Sequence, residues 1–108
     1  MEEKKDIDEL LKLYNEKDFK TTIINGLSLS KIYPQNPIIF NIIGLSYINI
    51  KEYSNALSIF NELTINFPNN AEAYINIGII QRALGKNDEA IKFYNKSLKI
   101  NPKSYNAY

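Results

Sequence analysis

The 108-residue chain contains no cysteine, no histidine and no tryptophan. Without cysteine it can form no disulfide, thiolate nucleophile or cysteine metal site. Without histidine it lacks the commonest general base and the commonest metal ligand. Apolar runs last only a few residues, far short of the roughly 20 that cross a bilayer, so no membrane insertion is expected. Neither charge sign dominates: 13 basic residues stand against 12 acidic ones, for a net charge of +1. That balance gives no argument for nucleic acid, an anionic surface or an acidic substrate. The start, "MEEKKDIDELLKLY", alternates acid and base where a secretory leader would be apolar. A cytoplasmic location is the expectation.

What is present is a period. A hydrophobic share of 44% with 23% charged residues suits one soluble domain with a modest core. Shifting the chain by 34 residues sets Gly44 on Gly78, Ala56 on Ala90, Phe60 on Tyr94, Pro68 on Pro102 and Phe40 on Tyr74. Pro34 precedes Pro68 by the same step. Self-similarity at such a period marks an array of supersecondary units, each burying its apolar face on the next.

Each unit holds two helical patterns separated by a short break such as "LGKND" at 84–88. Helices are predicted over about 6–16, 19–32, 38–50, 53–66, 71–84 and 87–100. Asn70 suits an N-cap, and Asn36 followed by Pro37 suits a cap and first turn. Gly85 suits a helix C-terminus, and Pro68 and Pro102 stop the second helices. Paired helices approach to about 8 Å only where side chains are small. Gly44 and Gly78 on first helices, and Ala56 and Ala90 on second helices, fit such crossings, with Phe60 and Tyr94 filling the wedges beside them. Without that role, a mid-helix glycine would only cost about 1 kcal/mol against alanine.

These residues carry a resemblance to the tetratricopeptide repeat family, whose 34-residue pattern runs aromatic, Leu-Gly, aromatic, Ala, aromatic, Ala, Pro. Residues 71–104 match it through Tyr74, Ile77, Gly78, Ala90, Tyr94, Leu98 and Pro102, departing at Gln81 and Ser97. Residues 37–70 match through Phe40, Ile43, Gly44, Tyr47, Ala56, Phe60 and Pro68. Residues 3–36 depart further, with Asp6 at the aromatic place, Leu10 at the glycine, Thr22 at the alanine and Gly26 at the second aromatic. Irregular helix packing is expected there. "YNAY" at 105–108 falls where "AEAY" stands at 71–74, which reads as the start of a fourth repeat in a longer protein. An uncapped C-terminal end of that kind favours self-association.

The resemblance implies an all-α, right-handed α-solenoid of tandem helix-turn-helix units, forming a single domain over residues 1–108. It also implies that the first helices line a concave ligand-binding face. The family's inward positions fall on Ile7, Leu11 and Tyr14, on Asn41, Leu45, Ile48 and Asn49, and on Ile75, Ile79 and Arg82. Asn76 matches one rung of the asparagine ladder of glycosyltransferase-linked arrays, where Ile42 and Asp8 occupy the other rungs. The apolar members would desolvate a peptide or partner helix, and the asparagines would bond its backbone. The competing reading is that the apolar members simply pack on one another or on the next repeats. Ile7 and Leu11 stand where a carboxylate clamp needs polar groups, so chaperone-tail recognition is not expected.

Catalytic patterns fail in turn. "GLSLS" at 26–30 lacks the closing glycine of a nucleophile elbow, and no histidine serves as base. "GK" at 85–86 lacks the upstream glycine of a phosphate loop. Asp6, Asp8 and Glu9 lack the ligand spacing that holds calcium. Lys92, Lys96, Lys99 and Lys103 form a basic stripe that reads first as a solvated outer face, otherwise as contact with an acidic partner or an anionic surface. The function expected is a noncatalytic protein- or peptide-binding scaffold without metal or cofactor. The alternative is a substrate-positioning or oligomerising arm of a larger glycosyl- or sulfotransferase-like enzyme.

Overall fold

The computed structural model describes residues 2–103. Six α-helices follow one another: α1 (Glu2–Asn15), α2 (Phe19–Ile32), α3 (Pro37–Asn49), α4 (Tyr53–Asn66), α5 (Ala71–Ala83) and α6 (Asn87–Ile100). No strand occurs among the described residues. The helix α1 begins four residues earlier than its apolar pattern predicts. Glu2 and Glu3 sit in that first turn, where carboxylates face the positive end of the helix dipole. The stretch at 105–108, read as a fourth repeat, lies outside the described residues.

The 34-residue step is written into the backbone as well as the side chains. Lys17 and Lys51 (each φ 63°) and Gly85 (φ 81°) all adopt the left-handed conformation, one at each turn between paired helices. At each turn this residue's N–H bonds the carbonyl three residues back: Tyr14 at 2.9 Å, Ile48 at 2.9 Å and Arg82 at 3.0 Å. The following N–H reaches five residues back, from Asp18 to Leu13, Glu52 to Tyr47 and Lys86 to Gln81. This is the Schellman closure, which satisfies the last carbonyls of a helix and needs one residue at positive φ. Glycine takes that conformation freely, whereas lysine costs roughly 1–2 kcal/mol there.

The helix starts are fixed with similar regularity. The Asp18 side chain accepts from the Thr21 N–H at 3.3 Å, Asn36 from Ile38 at 2.9 Å and Asn70 from Ala73 at 3.1 Å. Pro37 follows its cap at the start of α3, where its missing N–H costs nothing. Lys86 caps α6 without a side-chain bond, and Asp88 and Glu89 answer the dipole instead.

The chain divides into two compact units, Met1–Ile59 and Phe60–Tyr108. In the first, Leu10, Ile39, Ile42 and Ile43 form a buried cluster, flanked by Ile7, Tyr14, Leu29, Tyr33, Tyr47 and Ile59. Each fully buried Leu or Ile contributes about 1.5–3 kcal/mol. The α1–α2 pair is antiparallel: Asp6 meets Tyr33 near one end, and Tyr14 meets Phe19 at the other, ring centroids 5.5 Å apart and edge to face. Between them Gly26 is buried, and a Cβ there would stand 2.6 Å from Ile43 Cγ1 and 3.7 Å from Leu10 Cδ2. The close approach at Gly26 is thus to α3, while its distance to α1 is an ordinary contact. Thr22, at the alanine place, is fully buried and spends its hydroxyl on the Asp18 carbonyl at 2.7 Å.

In the second unit α5 packs antiparallel on α6. A Cβ on Gly78 would lie 2.5 Å from Cε1 of the Tyr94 ring, so glycine permits this crossing. Tyr74 donates its hydroxyl to the Pro68 carbonyl at 3.1 Å, and the Lys96 ammonium sits 4.8 Å from the Tyr74 ring centroid. Phe60, Ala90 and Tyr94 are buried, as are Ala56 and Gly44 in the first unit. Pro68 and Pro102 are exposed and follow the ends of α4 and α6. Among the described residues, Gln81 Oε1 and Ser97 Oγ are buried without a hydrogen-bond partner. They are the two places where this unit departs from the repeat pattern.

Candidate functional site

In the first unit the helices α1 and α3 build a shallow groove. Ile7, Leu11 and Ile38 form its apolar lining, and Glu3, Lys4, Asp8 and Asn36 its polar rim, enclosing about 490 Å³. Ile7 is half-buried because its inner side packs on the Leu10 cluster. Leu11 is 36% exposed and Ile38 51%, large aliphatic surfaces that the fold leaves in water. The Glu3 carboxylate accepts from Asn36 Nδ2 at 2.7 Å, tying α1 to the start of α3 at the groove's edge.

One turn further along, Tyr14, Leu45 and Asn49 come together. Asn49 Nδ2 donates to the Leu45 carbonyl at 2.8 Å and to the Tyr14 hydroxyl at 3.2 Å. An amide nitrogen carries two hydrogens, so both donors of Asn49 are committed. Its exposed carbonyl oxygen can still accept a backbone N–H from outside. Asn41, Leu45 and Ile48 are half-buried, and Asn41 already has a partner.

In the second unit the corresponding face of α5 carries Ile75, half-buried, Ile79, 40% exposed, and Arg82, exposed. Steps of four and three residues place them on one stripe. Asn76 is 5% exposed and already has a partner, so it withdraws from the set that could meet a ligand. Sequence reading missed Ile38. Its signal was available, because Ile38 continues the 41–45–48 row by one further turn toward the N-terminus of α3.

In the first unit the acidic residues of α1 act on Tyr33. Its hydroxyl donates to Asp6 Oδ2 at 2.8 Å. That bond first, then desolvation and the negative charges of Asp6, Glu2 and Glu3, push the phenol up to about 12. It stays a protonated donor and offers no base. Among the described residues no group of three or more carboxylates could hold a metal ion. No described helix is long and apolar enough to cross a membrane.

Comparison with known proteins agrees with this architecture. Two tetratricopeptide repeat profiles match, one over residues 71–104 and one over residues 42–70. The chain is 29% identical over 82 residues to anaphase-promoting complex subunit 6 of Arabidopsis thaliana, covering 71% of this chain and 15% of that protein. It therefore spans a small fraction of that relative's length. Among solved structures it resembles the first repeat domain of Spaghetti (RPAP3) bound to the HSP90 peptide SRMEEVD. The TM-score is 0.89 at 22% identity, over 97% of this chain and 83% of that one. The Arabidopsis OM64 repeat domain gives a TM-score of 0.89 at 14% identity, over 97% and 87%. MamA gives 0.83 at 22% identity, over 94% and 62%.

The fold is an all-α helical-repeat solenoid. The chain belongs to the tetratricopeptide repeat family.

Proposed function

We propose that residues 1–108 act as one repeat domain, with repeats at 3–36, 37–70 and 71–104. It is a cytoplasmic, noncatalytic module that binds a protein or peptide along its first helices. The observation that carries this reading is the groove of Ile7, Leu11 and Ile38, where aliphatic surface remains exposed beside open polar groups. Such surface costs free energy in water and regains it when an apolar side chain covers it. The exposed Asn49 supports acceptance from a ligand backbone through its Oδ1, and Ile79 and Arg82 on α5 of the second unit stand at equivalent positions of their own repeat.

The ligand class follows from the rim. Glu3 and Asp8 outnumber Lys4 around the groove, so an acidic peptide is repelled where an aliphatic or aromatic anchor fits. The test is selection of peptides from a random display library, followed by anisotropy titration of the winners. Peptides with an apolar anchor should bind, and Leu11→Ser with Ile38→Ser should weaken them at least about tenfold. The acidic peptide SRMEEVD should bind more weakly than the selected ones. Selected peptides indifferent to both substitutions would refute this site.

A further inference from the structure

The charge of this chain is balanced in total and divided between its ends. Residues 2–18 carry seven acidic and four basic side chains, whereas residues 86–103 carry two acidic and five basic ones. The acidic end is also concave. Between α1 and α2 lies a groove of about 500 Å³, with Leu10, Leu13 and Leu29 inside and Asp6, Glu9 and Glu16 along its α1 edge. Lys12 is the one basic residue that lines it. At 100° per residue, Glu9 and Glu16 lie on the opposite side of α1 from Ile7 and Leu11, so this groove is separate from the ligand groove above.

The basic end is a convex ridge. Ala90, Tyr94 and Ser97 bury one side of α6, leaving Lys92, Lys96 and Lys99 exposed on the other, with Lys103 exposed just beyond the helix. Ile91, 52% exposed, flanks them. Lys92 holds a loose pair with Glu89 at 3.4 Å, and Lys96 caps the Tyr74 ring. Glu9, Glu16, Lys99 and Lys103 are exposed and, among the described residues, meet no opposite charge.

We propose that copies of this chain associate head to tail, with the α6 ridge of one copy seated in the α1–α2 groove of the next. The two rows are of comparable length: at 1.5 Å per residue Asp6 to Glu16 runs about 15 Å and Lys92 to Lys99 about 10 Å, and Lys103 prolongs the basic row beyond the end of α6. Ile91 supplies an apolar side chain to the leucines of the groove floor, and the lysines meet the glutamates along its edge. Exposed ion pairs contribute little singly, about 0–1 kcal/mol each, so the contact depends on several acting together and weakens in salt. Because the two surfaces differ, one such contact leaves one ridge and one groove of the pair free to take further copies.

Sedimentation velocity on the full chain tests this, with two charge-reversed proteins beside it: Glu9→Lys/Glu16→Lys and Lys99→Glu/Lys103→Glu. All four positions are exposed, and circular dichroism verifies that both variants stay helical. The native chain should at least double its mean mass between about 10 µM and 1 mM at low salt, and return to monomer in about 0.5 M salt. Each variant alone should remain monomeric, and an equimolar mixture should associate again, because reversed ridge then meets reversed groove. A native chain that stays monomeric throughout overturns the proposal. So does association that survives either reversal, or a mixture that fails to recover it.

Discussion

The helix pairs α1–α2 and α5–α6 both bury a glycine against large side chains, but on opposite helices and against different neighbours. In α5–α6 the glycine is on the first helix, Gly78, and the ring of Tyr94 on the second fills the space it leaves. In α1–α2 the first helix carries Leu10 at that place, and the second carries Gly26, whose missing side chain leaves room for Ile43 of α3 and for Leu10. The aromatic place shows a similar exchange. Tyr74 stands on the first helix of the last repeat and bonds the Pro68 carbonyl, while Asp6 stands there in the first repeat and Tyr33 reaches back to it. In each case a large side chain fills the space that the glycine leaves. Which helix carries the large residue is secondary.

The largest expected effect comes from emptying either crossing. Leu10→Ala and Tyr94→Ala should each destabilise by about 2–5 kcal/mol, read as a lower urea midpoint with unchanged slope. A loss at Tyr94 with none at Leu10 would break the equivalence of the two pairs. Next come the glycines. Gly26→Ala and Gly78→Ala should each cost about 1–3 kcal/mol by overpacking, although alanine is the better helix former. The partners are specific, so the cycle sharpens the comparison. Ile43→Ala should relieve Gly26→Ala and leave Gly78→Ala unrelieved, with a coupling of about 0.5–3 kcal/mol.

Smaller effects separate the repeats by their polar groups. Ser97→Ala removes a buried hydroxyl that has no partner, and should raise stability by about 1 kcal/mol. In the first repeat Thr22→Ala should lower it, because that hydroxyl is bonded to Asp18. The smallest effect is at Tyr33. A phenol held near 12 in the fold against its ordinary 10 keeps its proton more firmly when folded. The stability from this bond is therefore full below pH 10 and is lost as pH rises through 12. Tyr33→Phe should unfold more easily than the native chain below pH 10, and that gap should narrow between pH 10 and 12.

The turns were legible from sequence in only one of three cases. Gly85 announces a left-handed residue, but Lys17 and Lys51 take the same conformation without any local signal, because the helices on either side impose it. The candidate face was legible as a periodicity and not as an exposure. Nothing in the spacing of Asn76 tells that it is buried, or that Asn49 has spent both donors on Leu45 and Tyr14. Leu10 and Gly26 depart from the repeat pattern in sequence, and the reason lies in Ile43, which packs against the glycine from α3.

By itself the sequence determined the all-α class, the 34-residue unit, the caps at Asn36 and Asn70, and the close crossing at Gly78. All of these follow from local conformational preference or from a repeating small residue. Tertiary structure decided which volume faces which glycine, which amides remain free, and which isoleucines stay in water. Those properties depend on neighbours distant in sequence. A single helix can report its own periodicity, but it cannot report what is packed against it.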